Sequence, residues 1–250
     1  MVIREKYIQA DTTVAIVDID NFLDCNEMIK SENAFKMKIN DILDIILNED
    51  SFYYLIRLYG GWYSDGVLTR NGSEIQKFIT SSNYFPLSAH GKIIRGEIEL
   101  ASSLNFFDGF NFTNTYRLKN GLPKINLDKN LLNSHCSSES ANCPAKLLAK
   151  FTSKKNKQCG VNDCEVVNFN AFKHNEQKMV DTMMSIDIVD YGENENVKLI
   201  YVLSNDTDLI PSVIRCVIRQ NKIRVIASQS STLEHYTDIE NRLNIEILKR

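Results

Sequence analysis

The chain has 250 residues, a formal net charge of −3, 43% hydrophobic residues and 24% charged residues. This balance supports a folded core and excludes wholesale disorder, and 10 glycines and 4 prolines exclude collagen-like and low-complexity classes. Near-neutral charge removes bulk attraction to nucleic acid and leaves only a local basic strip for that purpose.

The opening MVIREKYIQAD has no apolar leader core. Residues 13–19, TVAIVDI, form a short apolar run ending in acid, the pattern of a strand buried on both faces. Residues 34–48 place Phe35, Ile39, Ile42, Leu43 and Ile46 at helical spacing. FYYLIRLYGGWY, 52–63, reads as an aromatic-rich strand stopped by Gly60 and Gly61. Two further strands are predicted over 91–100 and 114–127, the second interrupted by a turn at Asn120-Gly121. Residues 128–165 are polar, hold four cysteines and show little periodicity. A helix is predicted over 176–189, with Met179, Met183 and Ile186 toward the core. VKLIYVL, 197–203, is a second buried strand, and Leu209, Val213, Ile214, Val217 and Ile218 mark the helix after it. KIRVIAS, 222–228, is a third buried strand, followed by a mixed tail over 232–248 with some helical character.

Buried strands alternating with helices predict an α/β fold with a mostly parallel sheet covered on both faces. Ligands of such sheets gather beyond the carboxyl ends of the strands. Two strands run into acid there: Asp18-Ile19-Asp20-Asn21 after the first, and Ser204-Asn205-Asp206-Thr207-Asp208 after the second. Asp181, on the intervening helix, can reach the same edge. A lone aspartate in this position is usually a turn residue or helix cap, and Asp208 before Leu209-Ile210-Pro211 would cap well. Several carboxylates together repel unless a cation joins them, and all-oxygen ligands suit Mg²⁺ or Mn²⁺. Such an ion suits phosphoryl transfer or phosphodiester hydrolysis.

VDIDN, KMVDTMMSID and LSNDTDLIPSVIRCVIRQNKIRVIA together resemble the NYN domain, a branch of the PIN-like nuclease superfamily, over roughly residues 13–127 and 174–228. The resemblance implies a Rossmann-like α/β/α sandwich with a β-hairpin. It implies a metal-dependent ribonuclease, endonucleolytic by kinship, in one domain over 1–250; the cysteine-containing segment at about 128–173 departs from the family pattern and reads as an insert that could bind zinc. Asp18, Asp181, Asp206 and Asp208 would hold Mg²⁺ or Mn²⁺. Asn21 would orient the attacking water or a phosphate oxygen, Ser204 would support a ligand or touch phosphate, and Lys178 and Arg57 would contact phosphate. Asp187 matches a further acid of the family. Asn205 stands where relatives often have glycine. RNA is the implied substrate, with single-stranded DNA as an alternative.

The insert carries Cys136, Cys143, Cys159 and Cys164 at spacings of x6, x15 and x4. Four thiolates form a tetrahedral zinc set, with His135 or His174 as replacement ligands. The other reading is four unrelated thiols in a loop. KLLAKFTSKKNKQ, 146–158, has five lysines and no acid, and Lys154 and Lys155 at its centre could hold a phosphate backbone or simply face solvent. Tyr59, Trp62, Tyr63 and Phe151 are candidates to stack on bases or to pack in the core. Cys25 and Cys216 read as core thiols.

Two rivals remain open. Asp18-Ile19-Asp20-Asn21-Phe22 imitates the opening motif of haloacid-dehalogenase-like phosphatases, with Asp18 as nucleophile, although Phe22 replaces the expected threonine. A non-catalytic RNA-binding module on the same fold is the second. No apolar run approaches the roughly 18 residues of a membrane span, so a cytoplasmic location away from membranes is expected, with cysteines reduced or metal-bound.

Overall fold

A computed structural model describes residues 8–47, 50–89, 91–105, 110–122, 128, 143–220, 222–227 and 246–249. The chain divides into two compact units, Met1–Tyr116 with Gln177–Arg250, and Arg117–Glu176.

The first unit is built on a seven-stranded sheet. Its strands are β1 (Thr12–Asp18), β2 (Tyr53–Tyr59), β5 (Leu87–Ala89), β6 (Lys92–Leu100), β9 (Val197–Leu203), β10 (Ile223–Ala227) and β11 (Glu246–Lys249). The order is β11-β10-β9-β1-β2-β6-β5, and every neighbouring pair is parallel except β5 with β6. All seven residues of β1 are buried, as expected of a central strand covered on both faces. Successive residues feed opposite layers, because side chains alternate along a strand. Val14 and Ile16 pack in one cluster with Met183, Ile188, Val213 and Val217, whereas Ala15 and Val17 pack in the other with Phe35, Ile39, Ile42 and Ile75. The result is an α/β/α sandwich.

Two single-turn helices, α1 (Ile19–Phe22) and α2 (Cys25–Met28), follow β1. One layer holds α3 (Glu32–Ile46) and α4 (Arg70–Ser82), capped by the hydroxyls of Ser31 and Thr69. The helical spacing of Phe35, Ile39, Ile42, Leu43 and Ile46 is that of the buried face of α3. The opposite layer holds α7 (Val180–Glu193) and α8 (Ile210–Gln220). Here the predicted helix needs correction. Lys173–Gln177 is the strand β8, and α7 starts only at Val180. Met179 and Ile186 are 40% and 38% exposed, and the buried face is instead Val180, Met183, Met184, Asp187, Ile188 and Tyr191. A carboxylate in mid-stripe hides the true period. Ile218, likewise expected on the core side, is exposed.

A short antiparallel pair, β3 (Tyr63–Ser64) and β4 (Val67–Leu68), completes the paired strands of the first unit. The second unit contains α5 (Pro144–Thr152) and α6 (Asn168–Ala171). Pairing of β7 (Tyr116–Asn120) with β8 gives a two-stranded sheet, and the chain turns out of β7 at Gly121, whose φ of +90° suits glycine. Residues 123–127 of the predicted strand and most of the tail over 232–248 lie outside the described residues. Among the described residues, no helix is long and apolar enough to cross a membrane.

Candidate metal centre

Strand register sets the site. Val17 of β1 pairs with Leu203 of β9, so Asp18 and Ser204 leave the sheet side by side at its carboxyl edge. The chain extends from β1 through β2 on one side and reaches β9 on the other, which makes this edge the switch point where α/β sheets hold ligands. Asp18 caps α1, and Asp206 caps the 3-10 turn Thr207–Leu209. The bland role of helix cap is therefore real for both residues.

It does not exhaust them. Carboxylate oxygens of Asp18, Asp181 and Asp206 all lie within 4.8 Å of one another. An octahedral Mg²⁺ with ligands at about 2.1 Å sets opposite oxygens about 4.2 Å apart, a spread of the same size. Asp18 is 2% exposed and accepts three hydrogen bonds: from the Asn21 backbone at 3.2 Å, the Asn21 amide at 2.9 Å and the Ser204 hydroxyl at 2.9 Å. Two carboxylate oxygens offer about four acceptor positions, so one is left for an ion. Ser204 also accepts the Asp206 backbone N–H at 3.0 Å, tying two ligand-bearing segments to one hydroxyl. Among the described residues, no lysine or arginine forms an ion pair with Asp18, Asp181, Asp206 or Asp208. Desolvation raises the pKa of Asp181, and repulsion from Asp206, Asp18 and Asp208 adds to it. Three converging carboxylates without a cationic partner can hold a divalent metal ion.

The other sequence candidates are distributed differently. Asp208 is exposed and stands outside the triad, its backbone N–H given to Asp206 at 2.9 Å. Asn21 is committed to Asp18, and its carbonyl accepts the Asn205 amide at 2.5 Å. Ser204 is fully buried, so it orients the acids and does not reach a phosphate. Lys178 is exposed just before α7 and gives its backbone N–H to Thr115 at 2.9 Å.

Arg57 requires the clearest correction. It is 2% exposed, with its guanidinium on Asp187, on the Ser103 carbonyl at 2.7 Å and on Glu99 at 2.8 Å. That placement withdraws it from any phosphate. Asp187, 0% exposed, also accepts the Tyr59 hydroxyl at 2.5 Å and the Asn105 backbone N–H at 2.9 Å. Burial raises its carboxyl pKa and Arg57 opposes that shift. It is a core ion-pair partner and not a member of the triad. Tyr59 and Trp62 are likewise buried, the latter giving its indole N–H to Leu58 at 2.8 Å, and neither is available to stack on a base.

Sequence reasoning misses Gln177, which donates to Asp20, and a cleft of about 220 Å³ beside Asp20 lined also by Arg70, Asn71 and Tyr116. Gln177 falls within the predicted helix over 176–189, and α4, which begins at Arg70, has no counterpart among the predicted elements. Only its N-cap Thr69 and the buried Ile75 and Phe78 mark that helix in an otherwise polar segment.

In the second unit, Cys136 lies outside the described residues. Among the described residues, Cys143, Cys159 and Cys164 do not gather as a group of three metal ligands. Lys154 and Lys155 are exposed and line a pocket of that unit. Comparison of the chain with protein-family models, with curated proteins and with solved structures gives no match.

Proposed function

We propose that this protein is a metal-dependent ribonuclease of the NYN, PIN-like type, which hydrolyses internal phosphodiester bonds of RNA. The observation that carries the reading is the convergence of Asp18, Asp181 and Asp206 from three separate segments, with no basic residue among those described to neutralise them. Mg²⁺ or Mn²⁺ bound there supplies a more acidic water and charge compensation at the phosphate. Asp18 and Asp206 are held for this task by Ser204, and Asp18 also by Asn21. Asp181 is the exposed member of the triad and sits in the first turn of α7. The three hydrogen bonds on Asp18 suit a fixed ligand better than the nucleophile that the phosphatase alternative requires.

The test is Asp206→Asn, assayed on labelled RNA and single-stranded DNA with Mg²⁺ and Mn²⁺. Cleavage of RNA by the wild type, lost in the variant, is expected. The metal should also raise the melting temperature of the wild type more than that of the variant. No cleavage of any RNA by the wild type with either ion refutes the enzyme reading and favours the binding module.

A further inference from the structure

The second unit carries a pocket of about 590 Å³, within the usual range for small-ligand sites. Lys119, Lys154, Lys155, His174, Phe169 and Phe172 are among its lining residues. We propose that this pocket binds a nucleotide of single-stranded RNA, with Lys154 and Lys155 on the phosphate and Phe169 against the base. The proposal deepens the ribonuclease reading by naming where the substrate strand is held, and binding can be measured without cleavage.

Four features carry it. The first is the fixing of the lysine-bearing segment. Asn168 is buried, and its amide donates to the carbonyls of Phe151 and Lys154, each at 2.7 Å, while its side-chain oxygen accepts the Lys157 backbone N–H at 3.2 Å. One interior side chain thus pins residues 151–157 as a wall, so Lys154 and Lys155 are not borne on a loose loop. The second is the pairing of charge with an aromatic face: Lys155 Nζ lies over the Phe169 ring, 4.9 Å from its centre, and has to leave that face for the phosphate when a base stacks there. Phe172 is braced from behind by Phe151, with ring centres 5.8 Å apart. The third is the disposal of the pocket's acid. Glu176 is held by Lys119 at 2.9 Å and by Arg117, and these contacts bring its carboxyl down to about 2. It is therefore paired locally with Arg117 and Lys119, and none of its ion pairs involves Lys154 or Lys155. The fourth is His174. A carbonyl can only accept, so the 2.7 Å contact with Gly121 fixes the proton on Nδ1 and leaves Nε2 for a ligand. A phosphate beside a flat apolar ring is the chemistry of a nucleotide, and the combination of cationic wall and aromatic platform is that of single-strand binders.

The experiment uses the full chain in EDTA and a fluorescein-labelled 12-nucleotide oligouridylate, followed by fluorescence anisotropy. The wild type should bind, and Phe169→Ala should weaken binding about 5- to 150-fold, the equivalent of losing one stacked base. The Lys154→Ala, Lys155→Ala double variant should weaken binding at least tenfold. It should also flatten the salt dependence by about 0.7 log units per decade of salt, the slope of the one phosphate that is no longer neutralised. Lys154→Arg with Lys155→Arg should restore both, which a merely structural role would not. Circular dichroism and the melting temperature verify that each variant is folded.

Unchanged affinity and salt slope in the folded alanine double variant overturn the proposal. So does a loss of binding in Asp206→Asn as large as in the lysine variant, which would place the strand at the acids instead. Uridine monophosphate should displace the oligomer only at concentrations at least a hundredfold higher than unlabelled oligomer requires. Displacement at equal concentration overturns the strand assignment in favour of a free nucleotide. Binding without cleavage by the wild type refutes the ribonuclease reading alone. Cleavage by the wild type with no effect of the pocket variants on binding refutes the pocket alone.

Discussion

Asp187→Asn separates a structural acid from a metal ligand. The substitution preserves volume and keeps one oxygen to accept the Asn105 N–H now held at 2.9 Å. What it removes is the charge facing Arg57, itself 2% exposed. Taking away one partner of a buried pair costs about 3–5 kcal/mol, because the other charge stays buried and unmatched. Glu99, 2.8 Å from Arg57 Nε, retains part of the compensation and places the expected loss near the lower end of that range. At roughly 2–4 °C per kcal/mol for a domain of this size, about 3 kcal/mol is a fall of about 6–12 °C in melting temperature. The double replacement Arg57→Met with Asp187→Leu removes the stranded charge and should recover part of that fall. Thermal unfolding by circular dichroism, with and without Mn²⁺, is the assay. The metal-induced rise should survive in Asp187→Asn. A variant that melts like the wild type but no longer responds to metal would refute the reasoning and move Asp187 into the centre.

Ser204→Ala leaves both Asp18 and the Asp206 backbone without the shared hydroxyl, so metal affinity by calorimetry should fall about 10- to 100-fold in a folded protein. An unchanged affinity would mean that the hydroxyl orients nothing. Asp190 is pushed up to about 6 by burial, with repulsion from Asp187 and Glu193. Between the ordinary carboxylate pKa and that value, the folded chain keeps a proton that the unfolded chain releases. Stability from this group therefore falls as pH rises through roughly 4 to 6. Asp190→Asn should melt above the wild type at pH 7 and not at pH 3.5, and the reverse order refutes the assignment. Burial pushes the thiols of Cys25 and Cys216 up to about 12 and about 11, which leaves almost no thiolate at pH 8. Iodoacetamide should modify the half-buried Cys159 and Cys164 ahead of both, as read by mass spectrometry. Equal rates at Cys25 or Cys216 would contradict their burial.

The sheet is legible because its strands are unbroken apolar runs, and the acids that end β1 and β9 mark the edge where they meet. What the sequence conceals follows from residues that break their own pattern. Asp187 lies in the buried stripe of α7, so Met179 and Ile186 imitate a core face they do not form. Arg57 reads as a phosphate contact in an aromatic strand, yet its partner is 130 positions away, beyond the reach of any local pattern. Pairing of β7 with β8 joins segments separated by the whole insert, and Lys173–Gln177 is too polar to announce itself as a strand. The triad is visible as three acids. The hydroxyl of Ser204 that links two of them is visible only as a residue type.

The Ser204 hydroxyl spans 186 positions to Asp18, and the segment it belongs to enters the sheet only when β9 docks beside β1. Loop closure over such a distance is slow compared with local helix formation. Any intermediate that has formed only the N-terminal half of the sheet therefore holds one buried aspartate and no centre. During synthesis, the triad is complete only after Asp206 has left the ribosome and β9 has docked beside β1. Capture of an ion at the triad would then report the docking of β9 beside β1, ahead of β10 and β11, and a chain stalled or clipped before β9 would lack the centre.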